Sequence, residues 1–301
     1  MDTTVKRILL SVLVVVTSHP ILSQTPKRTY TTKRVNPTPP IIDGRMDDPS
    51  WAEVEWGGDF IQREPYEGKE PGQKTAFKIL YDDKNLYVGI RAYDTEPEKI
   101  NKRMSRRDNT DGDIVGIQLD SYQDHLTAFT FLVNAGGVKM DGVWTNNGEE
   151  DYSLDPIWYV DTSMDEEGWC AEMRIPLSQL RFGKKENHVW GMQVARFLFR
   201  KEELSCWQHI PNDAPGWIYL FGELHGISGI LPSRRIELMP YTVGQTETMK
   251  EEPVNPFVPG RTWGAKFGLD GKVGVTTDLT MDFTVNPDFG QVEADPSVVN
   301  L

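Results

Sequence analysis

Apolar and polar residues alternate most regularly near the C-terminal end of the sequence, in two consecutive stretches. From Trp263 to Val275 every odd-numbered residue is apolar or glycine, and the same holds from Leu279 to Val285. The intervening residues, 276–278, are polar. A period of two residues is typical of β-strands, so this pattern predicts a hairpin with one apolar face and one polar face.

The first strand of this hairpin is unusually long. Its 13 residues exceed the common strand length of about 5 to 6, and they suffice for the roughly 9 to 11 residues that cross a bilayer in a tilted strand. We therefore predict the N-terminal part of an outer-membrane β-barrel over residues 234–301, although a hairpin of a soluble sandwich would alternate in the same way. Because an open barrel edge is not tolerated in lipid, we expect the other strands beyond Leu301 and this chain to be a fragment or a truncated product.

Shorter strands with the same period fill the middle of the chain. Residues 77–81 and 86–92 alternate on either side of a turn and predict a second hairpin. One helical turn is predicted at 176–180, and residues 226–232 form the seam before the barrel. Many short strands and almost no helix predict an all-β fold, an antiparallel β-sandwich over residues 41–230. Its other predicted strands are 113–120, 126–134, 138–144, 157–161, 169–175, 189–199, 204–210 and 217–222.

The N-terminal residues have the pattern of a secretory signal peptide. Lys6 and Arg7 precede an uncharged apolar run over 8–16, and small residues follow, which predicts a signal peptide over 1–23. The apolar run is too short to span a membrane as a helix. We expect export to the cell envelope of a Gram-negative bacterium, in the outer membrane or the periplasm. Residues 24–40, rich in Lys, Arg, Thr and Pro, predict an extended, mobile leader.

The net charge narrows the possible partners, whereas the cysteine content leaves open whether a disulfide forms. The formal net charge of −13 argues against nucleic acid as a partner, because the acidic groups repel phosphate. Cys170 and Cys206 are the only cysteines. In an oxidising compartment they either pair or remain as buried thiols, and the spacing does not decide between the two.

Several segments of the chain together resemble a known family. The chain is similar to the family 9 carbohydrate-binding module, in the Bacteroidetes variant that precedes a barrel domain of unknown function, DUF5916. The resemblance implies a sandwich related to the DOMON-like group, with sugar binding and calcium as family properties. The paired sugar-clamping Trp residues of the family do not map residue by residue onto this sequence. The matching segments are IIDGRMDDPSW (41–51), ILYDDKNLYVGIRAYD (79–94), RRDNTDGDIVGIQLDSYQD (106–124), DGVW (141–144), GWCAEMRIPLSQLRF (168–182) and GELHGISGI (222–230), with NPDFGQVEADPSVVNL (286–301) for the barrel domain.

Aromatic residues next to polar loops are the candidate sugar site. Sugars bind to aromatic faces, with a few polar groups that fix the hydroxyls. Trp144 precedes a loop that contains Asn146 and Asn147, Trp158 begins a strand, and Trp207 is a third candidate. The alternative for each Trp is packing in the core, which we predict for three others, Trp51, Trp169 and Trp190.

An acidic cluster supplies oxygen ligands that suit calcium. Asp111 and Asp113 lie four to six residues after a basic stretch, and Asp94 ends the preceding hairpin. We predict a loop-plus-strand calcium site from these three carboxylates. The alternative is a solvated turn in which the carboxylates pair with neighbouring arginines, Arg103, Arg106 and Arg107.

Three functions follow from these observations. The first is a binding module that captures a glycan or a related extracellular ligand beside an outer-membrane barrel. The second is a structural sandwich without a sugar site, which acts as a plug or lid of that barrel. The third is a hydrolase-associated protein of carbohydrate catabolism, in which two acidic side chains near the Trp residues would act on a glycosidic bond. The acidic candidates for it are Glu149, Glu150, Asp151 and Asp155.

Overall fold

The computed structural model describes residues 26–109, 111–145, 150–152, 154–232, 236–248, 261–275 and 279–287. The predicted signal peptide lies outside these residues. The described residues form strands and a few short 3₁₀ helices. The helices are Pro49–Glu53, Pro97–Lys99, Leu177–Gln179, Phe199–Lys201 and Ile218–Leu220. The strands are β1 (Thr29–Thr31), β2 (Lys33–Arg34), β3 (Ile61–Glu64), β4 (Thr75–Tyr81), β5 (Asn85–Tyr93), β6 (Ile114–Asp120), β7 (Thr127–Asn134), β8 (Lys139–Thr145), β9 (Glu150–Asp151), β10 (Tyr159–Asp165), β11 (Gly168–Pro176), β12 (Asn187–Leu198), β13 (Glu203–Cys206), β14 (Gly222–Ser228), β15 (Ile236–Thr248), β16 (Arg261–Gly274) and β17 (Thr280–Val285).

Two sheets form a sandwich, which confirms the predicted all-β class. The large sheet has the order β1-β14-β12-β6-β7-β8-β9, and β13 joins it by pairing with β12 and β3. The small sheet has the order β10-β11-β5-β4-β2. Neighbouring strands are antiparallel except for β1 with β14 and β2 with β4, which are parallel.

The core lies between the two sheets and is built by the period of two along each strand. On β6, Val115, Ile117 and Leu119 face inward and are fully buried. Trp169 and Trp190 belong to the same cluster, as predicted. Trp51 is also buried, but it packs with Leu80 in a second cluster. Burial of such apolar side chains is the main favourable contribution to folding, at about 25 cal/mol per Å².

The predicted mobile leader is instead part of the sandwich. β1 pairs with β14 of the large sheet, and β2 pairs with β4 of the small sheet, so the N-terminal segment crosses from one sheet to the other. Tyr30 is 6% exposed, and its ring lies 5.0 Å from that of Phe77. The prediction of a mobile leader is wrong because composition does not reveal the alternation that places Tyr30 and Thr32 inside.

Both cysteines are buried free thiols. Cys170 accepts a hydrogen bond from the Arg91 guanidinium at 3.2 Å. Burial raises the pKa of the Cys206 thiol to about 12. Of the two alternatives left open by the sequence, the structure contains the unpaired thiols.

A third sheet follows the sandwich, in the order β15-β16-β17. The predicted hairpin is present as β16 and β17, whereas β15 was not predicted. The register places Ile236, Val273 and Met281 side by side, so one face of the sheet is rich in apolar residues where the three strands overlap. Many of these side chains are exposed, among them Leu238, Trp263, Phe267 and Met281. No helix among the described residues is long and apolar enough to cross a membrane.

Candidate functional site

The candidate site lies on the open face of the large sheet, which points away from the core. Because alternate residues face opposite sides, the strands that bury Val115 and Ile117 inward present a second set of side chains outward. The register aligns Gln118 with Thr130 and Gln193 in neighbouring strands. The outward residues that line a cleft here are Ile114, Gln118, Leu132, Met140, Trp144, Ala195, Phe197, Leu204 and Cys206.

A loop that follows β13 forms one wall of this cleft. Ile210, Ile218 and Phe221 pack on Ala128 of β7 in a separate apolar cluster, against which Trp217 also packs. Ala128 is the register partner of Trp144. The loop therefore brings Trp217 beside Trp144, and the cleft between the loop and the sheet has a volume of about 270 Å³.

The two tryptophans are the central aromatic groups of the cleft. Their ring centroids lie 5.7 Å apart, with an interplanar angle of 70°. Both side chains are half-buried. The guanidinium carbon of Arg63 lies 3.8 Å from the centre of the Trp217 ring. One face of Trp217 is thereby held in place by a cation–π contact.

Polar groups stand at the rim and floor of the cleft. Glu150 pairs in register with Trp144, and the Tyr152 hydroxyl donates a hydrogen bond to the Glu150 carboxylate. Burial and this carboxylate raise the pKa of Tyr152, so the phenol stays protonated. On the floor, the Gln118 amide lies 3.5 Å from the Thr130 hydroxyl. The cleft thus combines aromatic rings with an amide, a phenol and a carboxylate.

The predicted sugar-site residues lie in different environments in the structure. Trp144 lines the cleft, whereas Trp158 is 1% exposed and donates its indole N–H to Asp141 at 2.9 Å in the core. Trp207 is 4% exposed and packs edge-on against Phe77 at 5.5 Å. Because a buried ring offers no face to a sugar, the predicted ligand roles of Trp158 and Trp207 are corrected to core packing. Asn146 and Asn147 lie outside the described residues.

The sequence does not indicate three residues that form or support the cleft, namely Trp217, Tyr152 and Arg63. Trp217 follows a Pro-Gly turn at the start of the predicted strand 217–222, and no sequence pattern distinguishes Tyr152 or Arg63. Only the Pro-Gly turn before an aromatic residue could have indicated a loop-borne Trp217. Its partner Trp144 is 73 positions away in the chain, so no local pattern relates the two.

Arginines lie beside the acidic residues proposed for calcium, and Asp94 and Asp113 share the charges of Arg196 and Arg200. Asp111 forms an ion pair with Arg103 at 2.7 Å, as the alternative of a solvated turn predicted. Asp94 accepts two hydrogen bonds from Arg200, at 2.7 and 2.8 Å. Burial is the largest single effect on the pKa of Asp94 and raises it, but the hydrogen bonds from Arg200 and from the Glu96 backbone N–H, together with the charges of Arg200 and Arg196, lower that pKa below its usual range.

Asp113 is fully buried and accepts a hydrogen bond from the Asn101 backbone N–H at 2.8 Å. Burial raises the pKa of its carboxyl group. Within the described ranges, no group of three or more His, Cys, Asp or Glu side chains is placed to hold a metal ion. Arginines pair with two of the three predicted calcium ligands, Asp111 and Asp94, and the three carboxylates do not form a metal-binding group in the described part of the chain.

The sequence matches two family models. Residues 42–211 match the carbohydrate family 9 binding domain-like model, and residues 232–301 match a domain of unknown function, DUF5916. A comparison with curated proteins gave no match. The first family therefore covers the sandwich from β3 to β13, including Trp144, but not β1, β2 or β14, and it ends shortly before Trp217.

Solved structures share the sandwich fold. A family 9 carbohydrate-binding module from Caldicellulosiruptor kristjanssonii, in complex with glucose, is 21% identical with a TM-score of 0.50, over 68% of this chain and 99% of the module. The structure with cellotriose is 22% identical with a TM-score of 0.49 over the same shares. A candidate carbohydrate-binding protein from Bacteroides uniformis is 14% identical with a TM-score of 0.54, over 67% of this chain and all of that one.

At these identities the structural likeness establishes the fold alone. The family model for the sandwich, in contrast, covers more than half of the 301 residues. The chain belongs to the carbohydrate family 9 binding domain-like family.

Proposed function

We propose that this protein binds a neutral carbohydrate in the cleft on the open face of the large sheet. The observation that carries the proposal is the pair of half-buried tryptophans, Trp144 and Trp217, beside an amide and a carboxylate. A buried pair would have favoured a purely structural sandwich. The glucose held by the module from C. kristjanssonii supports the same class of ligand.

The chemistry of the cleft suits a pyranose ring. The apolar C–H face of a sugar stacks on an aromatic ring, while its hydroxyls both donate and accept hydrogen bonds. Glu150 and Tyr152 line the same cleft and offer a carboxylate and a phenol, and the Gln118 amide lies on its buried floor. The Glu150 carboxylate and the net charge of −13 disfavour uronic acids and other anionic sugars.

Isothermal titration of the full chain with glucose and with cellotriose tests this function. We expect Trp144→Ala and Trp217→Ala each to weaken cellotriose binding at least tenfold, which corresponds to about 1.4 kcal/mol. Trp263→Ala is the matched control, because Trp263 is 73% exposed on the third sheet. Unchanged binding by both cleft variants would show that the cleft is not the sugar site, and the absence of binding heat from the unsubstituted chain would favour the alternative of a structural plug or lid.

We also propose that the protein is exported and that its third sheet lies in the outer membrane as the beginning of a barrel. The apolar face shared by β15, β16 and β17 supports this location, because lipid-facing strands alternate apolar and polar residues. Lys266, Asp270 and Lys272 of β16 occupy the opposite face, where a lumen would lie.

Fractionation of Gram-negative cells that express the full-length natural protein tests this location. We expect the protein in the outer-membrane fraction, with a mature N-terminus near residue 24. Recovery in the cytoplasm with the first residues intact would contradict both the export and the barrel.

A further inference from the structure

A second groove lies at the edge of the sandwich, away from the tryptophan cleft. It runs between the N-terminal strand β1 and the loop over residues 54–59, and its volume is about 600 Å³. Ligand pockets usually have volumes of about 300 to 1,000 Å³. The groove is lined by Arg28, Thr29, Tyr30, Thr31, Lys33, Val54, Glu55, Trp56, Gly57, Gly58, Asp59 and Trp207.

Trp56 is the aromatic side chain that this groove presents to solvent. It is 47% exposed, although most tryptophans of the sandwich are in the core. The Lys78 ammonium lies 4.8 Å from the centre of its ring and donates a hydrogen bond to the Trp51 carbonyl at 2.5 Å. Lys78 thus covers one face of the Trp56 ring, so that the opposite face is the one available to a ligand.

Both walls of the groove are fixed by hydrogen bonds. The Tyr30 hydroxyl donates to the Glu55 carbonyl at 2.8 Å, and Gly57 pairs with Phe77 in a β-bridge. A Cβ atom at Gly57 would lie 2.3 Å from the Phe77 ring, so this close approach requires glycine. These contacts hold the loop that bears Trp56 against the sandwich.

Arg28 joins the two walls at one end. Its guanidinium donates hydrogen bonds to the carbonyls of Asp59 and Trp207, each at 2.6 Å. A groove that is already shaped in this way does not have to be ordered when a ligand binds, which favours affinity.

The charges around Trp56 indicate the ligand class. Lys33, Glu55 and Asp59 are exposed side chains of the lining and carry both signs. An anion or a cation would meet a like charge here, whereas sugar hydroxyls donate to carboxylates and accept from ammonium groups. An exposed ring in a groove that also offers hydrogen-bond donors and acceptors suits a pyranose.

We propose that this edge groove is a second carbohydrate-binding site, in which a neutral sugar stacks on Trp56. The class of ligand rests on the function proposed for the cleft, but the groove is formed by other residues. A polysaccharide chain that is long enough to engage both sites at once binds more tightly than at either site alone, because the second contact is intramolecular.

Indole N–H resonances of the full chain, titrated with cellotriose, test the proposal. In the Trp217→Ala variant, which lacks the cleft platform, we expect the Trp56 resonance still to shift. In Trp56→Ala, the Trp217 resonance should shift with a Kd within twofold of the unsubstituted chain, while affinity for soluble hydroxyethylcellulose falls about tenfold or more. Trp263→Ala should change neither measurement.

The outcomes separate the two sites. If saturating cellotriose shifts the Trp217 resonance but leaves that of Trp56 unchanged, the groove proposal is wrong and the cleft remains. If neither resonance shifts in the unsubstituted chain, the ligand class is wrong and the function proposed for the cleft fails with it.

Discussion

Glu172 shows how one buried carboxylate can hold a loop on the sandwich. Its side chain accepts hydrogen bonds from the Trp51 indole at 2.7 Å and from the backbone N–H groups of Asp43, Gly44 and Arg45 at 3.0 to 3.1 Å. These contacts attach the loop after the leader to the outer side of β11. Even so, burial raises the pKa of Glu172 to about 7.

This raised pKa predicts a pH dependence of stability. The folded state binds the proton of the Glu172 carboxyl group more tightly than the unfolded state, so protonation of Glu172 stabilises the fold. This stabilisation is complete below about pH 4.5 and is lost as the pH rises through 7. We expect the free energy of unfolding to fall between pH 5 and 8 by up to about 3 kcal/mol from this group. Urea unfolding of the unsubstituted chain and of Glu172→Gln measures it. Parallel pH profiles of the two proteins would contradict the assignment.

Asp141 explains why Trp158 could not serve as a sugar platform. Its carboxylate accepts hydrogen bonds from Arg107, at 2.6 and 3.1 Å, and from the Trp158 indole. A carboxylate at this core position needs partners, because an unpaired buried charge is costly. Trp158 supplies one of them, and its ring packs edge-on against Phe131 at 5.5 Å.

Among the strands, β1 is short but contributes to the core, to the large sheet and to the edge groove. Its three residues carry Tyr30 into the core and form one wall of the edge groove. The strand also extends the large sheet by parallel pairing with β14. A segment that looks like a linker in composition therefore contributes to both packing and the proposed second site.

Substitutions in β1 test this role. We expect Tyr30→Ala to lower the free energy of unfolding by about 3 kcal/mol, because it removes a buried aromatic ring. Thr31→Ala, at an exposed position of the same strand, is the control and should change it by less than about 0.5 kcal/mol. Equal stabilities of the two variants would mean that the leader is mobile after all.

At the scale of the whole molecule, the sandwich and the third sheet are stabilised separately. None of the three apolar clusters in the described residues contains a side chain from β15, β16 or β17. One contact that joins the two parts is the hydrogen bond from Gln179 to Glu237 at 3.1 Å. The sandwich core is therefore complete without the third sheet.

Limited proteolysis in detergent-free buffer tests this division. We expect cleavage near Leu231, which is exposed at the end of the sandwich, and a resistant fragment with an unchanged Tm. The physical reason is that the exposed apolar face of the third sheet gains no burial from the sandwich. A soluble monomer that resists protease through residue 285 would instead show that this face is covered, and the barrel proposal would be wrong.

Local patterns in the sequence determined the class of fold and the position of most strands. The period of two predicted β4, β5, β6, β7, β8, β11 and β16 closely, because alternation reflects which side of a strand is buried. Local patterns do not predict which strands pair with each other when they are far apart in the chain. The strand β15 was missed since its alternation is interrupted by Pro240 and by polar residues in its second half.

The site was decided by the tertiary structure. Trp144 and Trp158 both lie at a strand end, yet one lines a cleft and the other fills the core, since this depends on which sheet face each strand or loop meets. The pairing of Trp144 with Trp217, the stacking of Arg63 on Trp217 and the neutralisation of Asp94 by Arg200 all join residues distant in the chain. Local patterns determined which residues alternate; only the packing of the sheets and loops decided which of them meet.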